Sequence, residues 1–234
     1  MQVSKRAYVL IHGCYKGGWI WKPVADRLHA AGHTAYHPSL DGCGERSGSL
    51  RPGITIGTQA REVAQLLRME DLHDVQLVAT SNGGNVAVTA AALMRERVAH
   101  ITFVDAVVLY PGERLKYAWP EDLDKDIPFE SDGVSVPIKR HESGDFGVTP
   151  QLQAWERERS TRQPVETMNG IMEDCGFWQH EWPVTTIYCN RSPNPGEPHQ
   201  RRAAERLRAK WRELDTGHLP FLSAPDELTT MLLE

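Results

Sequence analysis

The chain has 234 residues, 40% hydrophobic and 24% charged, with a net charge of −5. That length suits one well-cored domain, and the negative balance gives no general attraction to nucleic acid or to an anionic membrane. No stretch approaches the ~20 apolar residues of a membrane span, and the early apolar run from Ala7 to Ile11 is too short for the core of an export signal. Four cysteines (Cys14, Cys43, Cys175 and Cys189) lie apart without CxxC spacing. Reduced thiols in a cytoplasmic protein are therefore expected, and a zinc site is not.

Residues 7–11 (AYVLI) form a continuous apolar run ending at His12-Gly13, the pattern of a buried parallel strand. Residues 18–31 carry helical spacing, with Gly32 where a C-terminal cap belongs. A short strand runs from Thr34 to His37, and the Gly-, Ser- and Pro-rich segment 39–53 reads as loop. A helix is expected over 57–69, with Ala60, Val63, Ala64 and Leu67 on one face. A strand at 75–79, a helix at 83–94 and a strand at 101–108 follow. The pattern breaks between 111 and 182. It resumes with a strand at 184–188, a helix at 198–210, a strand at 211–214 and a helix at 225–233.

This alternation predicts an α/β domain with a parallel sheet and helices on both faces, built from residues 1–110 and 183–234. A structureless stretch as long as 111–182 does not suit a compact domain, so that segment is expected to be an inserted helical cap. Its aromatic residues are Trp119, Phe129, Phe146, Trp155, Phe177, Trp178 and Trp182. They either line an apolar pocket or anchor the insertion to the core. The acidic run EDLDKD (121–126) is expected on the cap surface, and the basic run HQRRAAERLRAK (199–210) on a solvated helix face.

The stretch LVATSNGGNVA (77–87) passes from strand to helix through Ser81, with Ala79 two residues before it and Gly83 two after. A tight turn of that kind pushes a serine hydroxyl above the carboxyl end of the sheet and needs small neighbours. The following helix aims free N–H groups at any anion formed there. The same position also suits a plain helix N-cap. After the first strand, His12-Gly13-Cys14 can turn the Cys14 N–H opposite the Asn82 N–H, giving a two-donor oxyanion hole. LDTGHLP (214–220) puts His218 just past the last strand, as a general base or as a surface histidine. Tyr15 and Lys16 either border a pocket mouth or are ordinary loop residues.

IHGCYKGGWIWKPVADRLHAAGH, LVATSNGG and ELDTGHLPFLSAPDEL, in that order, resemble the compact α/β-hydrolases. More narrowly they resemble a small bacterial esterase-like branch and its relatives, the plant methylesterases and hydroxynitrile lyases. SLDGCGERS (39–47) resembles the loop after the second strand in the bacterial branch. The resemblance implies an α/β-hydrolase fold with a six-stranded, mostly parallel core, a helical cap over the site, and no cofactor. There are departures. The residue before the nucleophile, often His, is Thr80, and the residue after it, often bulky, is Asn82, expected to contact substrate. Many relatives carry the triad acid after the fifth strand of this core. Here that segment, YCNRSPNPGEP (188–198), has no Asp, and Ser192 stands near the place. Some α/β-hydrolases carry the acid one strand earlier, which assigns it to Asp105, with Glu197 as the alternative and Asp215 expected to face away.

Together these features lead to a serine esterase or lactonase acting on a small to medium, largely apolar molecule. Ser81 attacks, His218 moves the proton, Asp105 steadies His218, and Cys14 and Asn82 hold the oxyanion. A lyase or other base catalyst on the same fold, or a ligand-binding protein with a vestigial site, are the competing readings. The related hydroxynitrile lyases carry a Thr after the first-strand His and a Lys after the catalytic His; these positions are Gly13 and Leu219 here. The partner expected is a small molecule, not nucleic acid or membrane, and a homodimer is left open.

Overall fold

The computed structural model describes residues 5–118, 127–138 and 147–234. Its centre is a six-stranded sheet. In chain order the strands are β1 (Ala7–Ile11), β2 (Thr34–Tyr36), β3 (Val75–Ser81), β4 (Val98–Ala106), β7 (Val184–Cys189) and β8 (Lys210–Leu214). They lie side by side as β2-β1-β3-β4-β7-β8, and every neighbouring pair is parallel. Parallel neighbours need crossovers, and right-handed twist folds those crossover helices back onto the sheet.

Alternation along the strands divides the core in two. Val9, Ile11, Leu77, Ala79, Ile101 and Phe103 point to one face. There they meet α2 (Ile56–Met69) through Ala60, Val63 and Leu67, and α3 (Gly83–Leu93) through Val86, Ala87 and Ala90. Tyr8, Leu10, Val78, Val104 and Ile187 point to the other face, against α1 (Lys22–Ala30) and α8 (Pro225–Leu233). Each large aliphatic side chain removed from water this way contributes about 1.5–3 kcal/mol before entropy is counted. α3 is built almost wholly of Gly, Ala and Val and is buried on nearly every side, so it lies close on the sheet. α2 starts on a reciprocal cap, with the Thr55 and Thr58 hydroxyls each accepting the other's backbone N–H.

Several boundaries move from the sequence expectation. The first helix opens with 3-10 turns over Gly18–Trp21 before α1 begins, with Pro23 in its first turn. The loop at 39–53 winds into 3-10 turns over Gly44–Ser49. β4 starts at Val98 and stops at Ala106, one residue past Asp105, whose left-handed backbone (φ 45°) shifts the register against β3 between Val104 and Ala106. Arg208, also left-handed (φ 51°), ends α6 (Glu197–Leu207) before the expected Lys210.

Between β4 and β7 the chain makes an insertion that is not purely helical. It holds a 3-10 turn (Leu115–Ala118), α4 (Pro150–Arg159), α5 (Glu166–Asn169) and another 3-10 turn (Phe177–Gln179). It also holds an antiparallel pair, β5 (Ser135–Val136) with β6 (Gln163–Pro164). Pro164 has no N–H to extend the ladder, which keeps the pair short. Trp119, Phe146 and the acidic run 121–126 lie outside the described residues. No helix among the described residues is long and apolar enough to cross a membrane.

Candidate active site

The chain leaves β1 toward β2 on one side and toward β3 on the other, so the strand order reverses between β1 and β3. The carboxyl ends of strands at such a reversal form a natural ligand crevice. Gly13 follows β1 there, and Ser81 is the last residue of β3. Ser81 has φ 50°, a left-handed conformation that costs a non-glycine residue about 1–2 kcal/mol. Its carbonyl is held by the Val107 N–H at 2.8 Å, which pins the turn to the exit of β4. A β-carbon at Gly13 would stand 2.5 Å from Ser81 Cβ and 3.1 Å from its Oγ. A β-carbon at Gly83 would stand 2.5 Å from the His12 carbonyl oxygen. Only glycines let the first loop and the start of α3 close around this serine.

Asp105 is fully buried, and its Oδ2 lies 2.6 Å from Nδ1 of His218. A carboxylate is an acceptor, so the proton of that bond sits on Nδ1 and Nε2 is left with its lone pair. His218 stands in the loop between β8 and α7 (Pro220–Ser223) and keeps some solvent contact. The other carboxylates do not share this place. Glu197 is exposed at the start of α6 and pairs with Arg201 at 2.9 Å, while Asp215 is exposed and pairs with Arg191 at 3.2 Å. Ser192 is buried, and its hydroxyl donates to the Asn194 carbonyl.

The turn after β1 is organised by His12, which is buried. Its Nε2 accepts the Leu40 N–H at 3.0 Å, so its Nδ1 carries the proton and donates to the Gly13 carbonyl at 2.8 Å. Burial pushes its pKa down to about 4. The unfolded chain therefore takes up this proton first, below pH 6.5, and stability falls as acid is added. We expect this residue alone to remove about 2 kcal/mol between pH 7 and pH 5. Urea unfolding at both pH values checks it: His12→Gln should show a smaller acid loss than the parent, and equal losses would refute the assignment.

Among the described residues, the backbone N–H groups of Cys14 and Asn82 donate to no backbone carbonyl. The Cys14 thiol is pushed up to about 12 by burial, so it stays protonated. The Asn82 side chain is also held by the protein itself. Its Nδ2 donates to the Thr167 carbonyl at 2.9 Å, and its Oδ1 accepts from Asn85 Nδ2 at 2.8 Å. Both ends are engaged, the first tying the turn to α5 and the second to α3. Tyr15 and Lys16 likewise face the insertion: Tyr15 reaches Gln163 and Met168, and Lys16 pairs with Glu156.

A cavity of about 450 Å³ is lined by Asn82 itself and by Asn85, Thr167, Leu109, Arg114 and Met172 among others. No aromatic side chain among the described residues lines it. The described insertion aromatics pack instead. Phe177 stacks on Trp182 at 5.0 Å, Trp178 meets Tyr110 edge-on at 4.5 Å, and Trp155 meets Trp19 edge-on at 5.2 Å. Phe129 packs against the core. Anchoring is the role these contacts describe.

The model of the alpha/beta hydrolase family matches residues 8–230. The chain belongs to that family. It is 32% identical over 169 residues to a carbendazim hydrolyzing esterase of Nocardioides sp. (strain SG-4G), covering 68% of this chain and 70% of that protein. It is 29% identical over 252 residues to methylesterase 7 of Arabidopsis thaliana, covering 99% and 96%. Its fold matches an extracellular α/β-hydrolase from a Paenibacillus species with a TM-score of 0.83 at 22% identity, over 97% and 98% of the two chains.

In this α/β-hydrolase, sequence reasoning missed Gln200. Its Nε2 donates to Asp105 Oδ1 at 2.7 Å and to the Pro195 carbonyl at 3.0 Å. It thus ties the acid to the loop where Asp was sought. The helix 198–210 reads as a solvated basic face, yet His199, Gln200, Ala203 and Ala204 are buried. Their spacing of three and four marks an inner stripe that was available in the sequence.

Proposed function

We propose that this α/β-hydrolase is a serine esterase or lactonase that cleaves a small to medium, largely apolar substrate through an acyl-enzyme. The observation that carries the reading is the 2.6 Å bond between buried Asp105 and His218, at the same sheet edge as the left-handed Ser81. With Nδ1–H given to Asp105, Nε2 of His218 is the basic nitrogen. It takes the Ser81 proton as Oγ attacks the carbonyl carbon, and the carbonyl electrons move onto oxygen. The Cys14 and Asn82 N–H groups and the α3 N-terminus stabilise that oxyanion. When it collapses, the alkoxide leaves with the proton from His218. Water activated by the same nitrogen then releases the acid and restores Ser81. The reaction as written needs the groups of this chain, the substrate and one water, with no cofactor. The esterases among its relatives support an ester as substrate.

Lyase chemistry is less well supported. Gly13 cannot become a hydroxyl-bearing residue without displacing Ser81, and Leu219 is buried in the core beside Phe221. A buried leucine offers no charge to a departing anion. We expect Ser81-dependent release of nitrophenolate from p-nitrophenyl acetate or butyrate and no cyanohydrin cleavage above a Ser81→Ala blank. Aldehyde release without ester hydrolysis would favour the lyase. Silence in both assays together with tight binding of a small apolar ligand would favour a receptor.

A further inference from the structure

We propose that Gln163, on β6 of the insertion, is a positioning residue that holds both halves of the oxyanion hole. The inference rests on the serine-hydrolase reading and deepens it. Gln163 is buried, and it has an acceptor and a donor engaged at once. Its Oε1 accepts the Tyr15 N–H at 2.8 Å, and its Nε2 donates to Thr167 Oγ1 at 2.7 Å. The Thr167 carbonyl in turn accepts from Asn82 Nδ2 at 2.9 Å. Tyr15 directly follows Cys14. One side chain is therefore bonded to the neighbour of one oxyanion donor and, through a single residue, to the other.

The backbone of Tyr15 shows why the tie is needed. Its φ of 65° lies in the left-handed region, which a non-glycine residue keeps only where its surroundings hold it. Two bonds from the insertion do so. Gln163 takes its N–H, and the Thr161 N–H donates to its carbonyl at 3.0 Å. The next residue, Lys16, is fastened to α4 by Glu156 and by Ser160 at 3.1 Å. The loop bearing Cys14 is thus shaped from the insertion as well as by β1, and the insertion sets the geometry of the hole. Donors must already point at the oxyanion position when charge develops there. Slack in the loop therefore weakens the transition state and leaves substrate binding largely alone.

The test compares the parent, Ser81→Ala, Gln163→Met and Thr167→Val. Met keeps the volume of Gln163 and removes both bonds together with a long contact from the Cys43 thiol at 3.8 Å, while Thr167→Val keeps the Tyr15 bond and removes the second along with the Thr167 hydroxyl's own bond to the Pro164 carbonyl at 2.7 Å. The readouts are kcat and KM for p-nitrophenyl butyrate, the inhibition constant of a trifluoromethyl ketone that binds as a tetrahedral oxyanion, and thermal stability. For Gln163→Met we expect kcat to fall about 10- to 100-fold, KM to stay within about 3-fold, and ketone affinity to fall by the same factor as kcat. Thr167→Val should lose about 3- to 10-fold in both readouts. A folded Gln163→Met with kcat within about 2-fold of the parent would overturn the inference, as would a raised KM with unchanged ketone affinity. If Gln163→Met does not fold, Thr167→Val decides, and parental values there overturn it. A parent without Ser81-dependent turnover would overturn the hydrolase reading and this inference with it. Parental activity in both insertion variants, with Ser81→Ala inactive, would overturn the inference alone.

Discussion

Ser81→Ala is expected to lose at least ~10⁴-fold in ester turnover and all labelling by a fluorophosphonate, while its circular dichroism stays that of the parent. The hydroxyl is the only atom removed, and no hydrogen bond that shapes the turn depends on it. The turn is held by the Ser81 carbonyl, which accepts from Val107, and by the close approach of Gly13 and Gly83. Alanine keeps the β-carbon and so keeps the strain at φ 50°. Glycine adopts that conformation freely. Ser81→Gly should therefore be equally inactive yet up to about 1 kcal/mol more stable, raising the melting temperature by about 2–4 °C. That pairing of lost turnover with gained stability separates a strained nucleophile from an ordinary helix cap, whose loss would lower stability. Wild-type turnover in a well-folded Ser81→Ala protein would end the serine-hydrolase reading.

The central strands of the sheet were legible because they are buried on both faces and therefore read as apolar runs. AYVLI and VQLVA could hardly be anything else between their Gly- and Asp-bearing flanks. The turn around Ser81 was legible because steric demand shows in residue type: small residues stand where backbones touch. The insertion was not. Its two-residue strands carry no periodicity, and its aromatics serve packing as readily as a pocket. The structural ties of Asn82 were not legible, because a polar residue beside a nucleophile gives no sign of a partner 85 positions away. Gln163 and Gln200 share that difficulty. An amide that organises a site through long-range hydrogen bonds has no local signature, and only a buried helical stripe would have pointed to Gln200.

Asp105→Asn is expected to cut kcat by about 10⁴-fold, and Glu197→Gln to leave it within about 2-fold. Asparagine matches aspartate in size and tolerates the left-handed backbone found here (φ 45°), so the fold should survive. The damage would be in the proton. Gln200 Nε2 donates to the carboxylate oxygen away from His218. It would therefore fix the new amide with its oxygen toward Gln200 and its NH₂ toward the imidazole. His218 Nδ1 would then have to accept, the ring proton would move to Nε2, and Nε2 could no longer take the proton of Ser81. Gln200 thus makes the substitution worse, because it denies the amide the flip that would rescue the tautomer. Glu197 has no such reach. It is exposed and pairs with Arg201 one turn along α6, a contact worth a few tenths of a kcal/mol. Steady-state kinetics of the two folded variants decides between the acids. Loss of turnover in Glu197→Gln with parental turnover in Asp105→Asn would move the acid to α6. The 2.6 Å bond between Asp105 and His218 would then be a structural tie alone.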